Sequence, residues 1–150
     1  MQRNKPKFIS NHEDLEVYQI AFDTAMEIFK LSKNFPKEEK YSLIDQIRRS
    51  SRSVCANLSE AWRRRRYKGS FLLRLNDAEA EAAETQVWLK FAVKCQYLDV
   101  DLGRKLYSQY NQILGLIVIM TNNADQWLLK KNKLYQVRII NANRVISPTP

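Results

Sequence analysis

The sequence predicts an all-α protein: an up-down-up-down four-helix bundle carrying a basic C-terminal arm. Three observations lead there. Apolar residues recur at steps of three and four through four long segments, and the breaks between segments are short. Only 3 Gly and 4 Pro occur in 150 residues, too few for an all-β sandwich or barrel with many tight turns. That length also suits one domain with its own apolar core.

The first helix is expected over residues 12–33. Ser10 followed by Glu13 forms a capping-box pattern. Leu15, Tyr18, Phe22, Ala25 and Phe29 then mark one face, widened by Val17, Ala21, Ile28 and Leu31. Pro36 closes the segment. The second helix, 38–66, opens with Glu38 and Glu39, acids that favour a helix N-terminus. Its seam is Ile44, Ile47, Ser51, Val54, Leu58, Ala61 and Trp62. The third, 70–97, repeats Phe71, Leu75, Ala78, Ala82, Thr85, Leu89 and Ala92, a heptad-like series that predicts near-parallel packing at about 20°. The fourth, 99–127, has its seam at Leu102, Leu106, Tyr110, Ile113, Ile117, Met120, Ala124 and Trp127. Residues 128–150 form the arm. There Tyr135, Val137 and Ile139 alternate with polar residues and no acid occurs, the pattern of an extended or disordered segment; the alternative is a fourth helix that runs on through Lys133.

Charge is distributed unevenly. All 16 acids lie within residues 12–127 beside 17 bases, so the body is nearly neutral, and the other eight bases sit at the two ends. Within the body, residues 48–68 carry eight bases and one acid, Glu60. The N-terminus has no apolar signal-peptide core, and the longest apolar run, Ile113 to Met120, is too short to span a bilayer. A cytoplasmic protein with reduced Cys55 and Cys95 is expected.

No catalytic set stands out, and the protein is expected not to be an enzyme. The single His12 beside Glu13 and Asp14 reads as a solvated first-turn residue, and Gly69, Gly103 and Gly115 form no phosphate loop. Asp77, Glu81 and Glu84 share a face of the third helix. Di-metal bundles add a His three residues after a Glu, which is missing here; pairing with arginines of the second helix is the expectation, with no metal and no cofactor.

The functional signal is basic. On a helical wheel Arg48, Arg52, Arg63 and Arg66 fall within about 60°, and Arg49, Arg64, Arg65 and Lys68 broaden the patch. Lys130, Lys131, Lys133 and Arg138 extend it along the arm. Guanidinium forks suit phosphate, and repeated contacts give salt-dependent affinity for nucleic acid. The competing reading is a solvated face neutralised by the helix-three acids. Tyr67 offers a ring for stacking; Trp62 does so too, or serves as a core or subunit anchor.

The run from Tyr41 through Ile47-Arg48-Arg49 to Asn57 and Glu60-Ala61 resembles the signature of the bacterial four-helix-bundle proteins named for genes within intervening sequences of 23S ribosomal RNA. Leu15-Glu16-Val17-Tyr18, Phe35-Pro36-Lys37-Glu38-Glu39, Glu84, and Ala92 to Leu98 match as well. The likeness covers about residues 12–127. Ala61 stands where the family often has Gly, Ala80-Glu81 where it has Gly-Ser, and Trp62 to Tyr67 and Glu84 to Leu89 mark a distinct subgroup. The resemblance implies a homopentamer with a basic nucleic-acid-binding surface, similar to the accessory protein of diversity-generating retroelements, which also binds a reverse transcriptase. An adaptor for such a protein partner, using Trp88, Trp127 and the arm, is the alternative. The ribosomal label reflects gene location.

Overall fold

A computed structural model describes residues 8–130. Four helices, α1 (Glu16–Ser32), α2 (Leu43–Arg63), α3 (Lys68–Lys94) and α4 (Val100–Asn122), form the bundle, and a single further turn, α5 (Ala124–Trp127), follows. α1 packs on α2 and α4, and α3 packs on α2 and α4, so α1 and α3 lie on a diagonal. This is the expected four-helix bundle. Among the described residues no helix is long and apolar enough to cross a membrane.

The boundaries differ from expectation for local reasons. The first cap is Asn11, whose side chain accepts from Glu13 N at 2.7 Å, while Asp14 accepts from Ser10 Oγ and the Ser10 and Asn11 amides. It caps a 3-10 turn, His12–Asp14, and Leu15 is extended before α1 begins. A second 3-10 turn, Lys37–Glu39, precedes α2. Ser42 supplies no side-chain cap; Glu39 instead accepts from Leu43 N at 3.1 Å and Ser42 Oγ at 2.6 Å, satisfying one donor at the start of α2. Those two hydrogen bonds hold the Glu39 carboxyl below the ordinary glutamate value. α2 stops three residues early, at Arg63, because the chain turns through Arg64 to Tyr67. The fourth segment breaks at Asn123, separating α5 from α4.

The seams of α2 and α3 are buried as expected. That of α1 is rotated. Val17, Ala21, Thr24, Ala25 and Ile28 face the core, whereas Phe22 is 48% exposed and Tyr18 and Phe29 are half-buried. Small Ala21 and Ala25 let α1 approach its neighbours closely, and the aromatics are left at the margins. A polar layer crosses the core. Thr85 Oγ1 lies 2.8 Å from Ser50 Oγ, joining α3 to α2, and Gln86 Nε2 donates to Asn111 Oδ1 at 2.8 Å, joining α3 to α4. α3 ends with Gln96 in the left-handed region (φ 62°), where Tyr97 N returns to the Ala92 carbonyl.

Candidate nucleic-acid interface

The basic residues divide into two groups. In the middle of α2, Arg48 and Arg52 both lie over the Phe29 ring of α1, with guanidinium carbons 4.8 and 5.7 Å from its centroid. Arg48 Nε also donates to Ser32 Oγ at 2.8 Å. A ring face attracts a cation without neutralising it, and neither residue pairs with a described carboxylate. Lys33 Nζ lies over the same ring at 4.7 Å, so Phe29 gathers three like charges. Arg48 and Arg52 line a shallow groove with Lys40, Tyr41 and Arg49. The Tyr41 ring is 86% exposed. Sequence reasoning placed Phe29 on the apolar face of the first helix and Tyr41 in the family-like run, and assigned neither of them, nor Lys40, to the basic surface, because none belongs to the charge run.

Arg49 behaves differently. One turn position round α2, it points at α3 and bridges Glu84 at 2.8 Å and Glu81 at 3.5 Å. The hydrogen bond to Glu84 and the charge of Glu81 raise its pKa. Glu81 itself is pushed up by burial, against the pull of Arg49. Arg49 is thus a strut between helices. Asp77 pairs within its own helix, with Arg74 at 3.2 Å, and Arg74 also reaches Glu60 at 2.9 Å. The acid stripe is consumed by Arg49 and Arg74. Among the described residues no three His, Cys, Asp or Glu side chains gather where a metal ion would sit.

The second group lies at the α2–α3 end. Because α2 ends at Arg63, the wheel that placed Arg66 in line with Arg48 does not apply: Arg66 stands in the turn. Arg63 and Arg66 are exposed and form no ion pair with a described carboxylate. Arg64 reaches Ser70 Oγ at 3.3 Å, and Lys68 pairs with Asp125 at 2.9 Å. Arg65 is structural. Its guanidinium lies 3.4 Å from the centroid of Trp62, and it donates to the Trp62 carbonyl at 2.8 Å and the Trp127 carbonyl at 3.3 Å. Burial, then the nearby Arg63, pull its pKa down.

Trp62 is 7% exposed and meets the edge of Trp127 at 6.3 Å, so it is a core anchor and not a stacking platform; Tyr67, 72% exposed, keeps its ring in solvent. Leu129 N donates to the Arg65 carbonyl at 3.0 Å. The chain beyond α5 therefore starts against the arginine turn, with exposed Lys130 beside it. Lys131, Lys133 and Arg138 lie outside the described residues. His12 packs edge-on against Tyr18 at 4.9 Å, and Ser50 and Ser51 donate to backbone carbonyls one turn back.

A four-helix bundle with guanidinium groups left free along α2 and at one end defines the class. The chain belongs to the 23S rRNA-intervening sequence protein family, which it matches over residues 13–118. It is also similar to a crystal structure of a protein with unknown function from the S23 ribosomal protein family of Bacteroides thetaiotaomicron. The two share 27% identity and a TM-score of 0.65, over 71% of this chain and 95% of that one. No curated protein matches the chain.

Proposed function

We propose that this protein is a non-enzymatic, cytoplasmic homo-oligomer that binds the phosphate backbone of RNA or DNA. The observation that carries the reading is the pair Arg48 and Arg52, held over Phe29 with no carboxylate partner among the described residues. Arg63 continues the same side of α2, eleven residues or about 16 Å further on, and leads to Arg66 and Lys130. Contacts of this kind carry charge but no base sequence, so binding is strong at low salt and indifferent to sequence. Repeating the stripe in an oligomer, a pentamer by family resemblance, adds weak contacts through multivalency. A filter-retention assay at ~0.05 and ~0.3 M salt tests the reading: retention at the lower salt that is largely lost at the higher is expected, and no retention at the lower salt rejects it.

One observation favours the adaptor alternative. Val87 and Phe91 are about half exposed on α3 beside Trp88, an apolar surface suited to a protein partner. Trp127, by contrast, is engaged by Trp62 and Arg65. Val87→Ser/Phe91→Ser abolishing partner capture while leaving nucleic-acid retention intact favours the adaptor; Arg48→Glu/Arg52→Glu abolishing retention with oligomer mass unchanged favours the first reading.

A further inference from the structure

Two surfaces on different sides of the bundle complement each other. Between α3 and α4 runs an open groove of about 560 Å³. Its floor is apolar, built from Leu89, Val93 and Tyr107, and at Gly103 α4 comes so close to α3 that a β-carbon would clash with the Val93 side chain. Its rim is cationic. Lys90 lies over the Tyr107 ring at 5.4 Å, and Lys94 and Arg104 are exposed, with no ion pair to a described carboxylate. α1 carries the opposite character. Around a shallow depression formed with Tyr18 and Gln19, Glu13 and Asp23 flank Phe22, which is 48% exposed. Neither acid pairs with a described base.

We propose that the α3–α4 groove of one copy receives the α1 face of a second copy, with Phe22 on the apolar floor and Glu13 and Asp23 against Lys94 and Arg104. The occupant is argued from charge: an apolar groove with a basic rim fits an aromatic flanked by acids, and this chain displays such a face. Since α1 and α3 lie on a diagonal of the bundle, the two surfaces do not coincide. The contact is heterologous, head to tail, and each copy offers both halves, so association builds a ring where the rotation between copies closes and an open chain where it does not. Arg48 and Arg52 line neither depression, and Phe29, over which they lie, is on the same side of α1 about 10 Å from Phe22. The inference rests on the oligomeric part of the proposed function and says which surfaces build the oligomer.

The test is the mass of the full chain in solution without nucleic acid, by sedimentation equilibrium at low salt. The wild type is expected at a multiple of 17.7 kDa. Lys94→Glu/Arg104→Glu and Glu13→Lys/Asp23→Lys each weaken association about a hundredfold or more, through like charges brought face to face. Mixing the two variants restores association between unlike copies, because each supplies the surface the other has lost, and the product is a mixed dimer, open chain or even-membered ring, since an odd ring would keep one like-charged contact; this rescue also shows that both remain folded. A wild type of single-chain mass at every concentration overturns the inference and leaves the groove to an acidic segment of another protein. An oligomer indifferent to both reversals overturns it as well, while leaving phosphate binding by Arg48 and Arg52 standing. Failure of nucleic-acid retention, read separately, removes that binding and not this interface.

Discussion

Replacing Arg48 and Arg52 by Gln separates free guanidiniums from braced ones. Each phosphate contact on duplex DNA contributes about 0.9 to the slope of log affinity against log salt. Losing two contacts therefore lowers the slope by about 1.8 per subunit engaged. Over a sixfold rise in salt, the advantage of wild type over Arg48→Gln/Arg52→Gln shrinks by about 25-fold. Arg49→Gln, one residue from Arg48, should leave the slope unchanged, because its guanidinium already spans Glu81 and Glu84. Its cost falls on stability, by about 0.2–1 kcal/mol for a half-exposed ion pair.

Stability must be measured alongside. Arg48→Gln removes the hydrogen bond to Ser32, worth about 1 kcal/mol, and a cation–π contact with Phe29, worth about 0.5–1 kcal/mol. Arg48→Lys/Arg52→Lys controls for this, since it keeps the charge and is expected to keep most of the slope. Fluorescence anisotropy titrations at four or five salt concentrations provide the measurement. An unchanged slope in Arg48→Gln/Arg52→Gln, or an equal fall in Arg49→Gln, would refute the assignment of free and braced arginines.

Four further outcomes follow from single contacts. Tyr110 is fully buried, and among the described residues its hydroxyl makes no hydrogen bond of good geometry, only a weak interaction with Thr85, so Tyr110→Phe should melt within ~0.5 kcal/mol of wild type or above it; a loss above ~1 kcal/mol would show that the Thr85 interaction is a full hydrogen bond. Gln96→Gly relieves a left-handed backbone and should gain up to ~1 kcal/mol in chemical denaturation, with a loss counting against that geometry. Burial pushes the Cys55 thiol up to about 11, while Cys95 is exposed, so a thiol reagent at neutral pH should label Cys95 in the folded protein and reach Cys55 only on unfolding. The lowered Glu39 pKa means that its contribution is complete above the ordinary glutamate value, about 4.3, and is lost as pH falls through the lower folded value; Glu39→Gln should flatten the acid limb of the stability profile, and an unaltered limb would deny the cap.

The legible part of this fold was the part set by period alone. In α3, every residue of the seam from Phe71 to Ala92 is buried, because its residues recur at alternating steps of four and three, a 3.5-residue spacing that leaves one direction for the core. In α1 the same logic erred. Phe22 and Phe29 look like core by hydrophobicity, but Ala21 and Ala25 decide how closely helices pack, and that choice depends on the partners. The caps were displaced by similar competition: Ser10 with Glu13 and Asn11 with Asp14 both satisfy a start signal, and only backbone geometry selects the second pair.

Charge was legible as composition and opaque as state. Eight bases between 48 and 68 announce a basic surface, yet adjacent residues have opposite fates. Arg48 and Arg49 are separated by about 100° on the helix, enough to give one an aromatic ring and the other two carboxylates. Arg65 and Arg66 differ because α2 ends at Arg63: the turn carries Arg65 onto Trp62 and leaves Arg66 in solvent. An unbroken helix would have kept Arg63 and Arg66 in register with Arg52 as one long stripe. The turn instead divides the basic surface into a pair held over Phe29 on the flank of the bundle and an exposed group at its end, where Leu129 attaches the chain that leads into Lys130. On the proposed reading, a phosphate backbone running along the flank meets the ring-held pair first and then the exposed Arg63 and Arg66, contacts that carry charge and no base sequence.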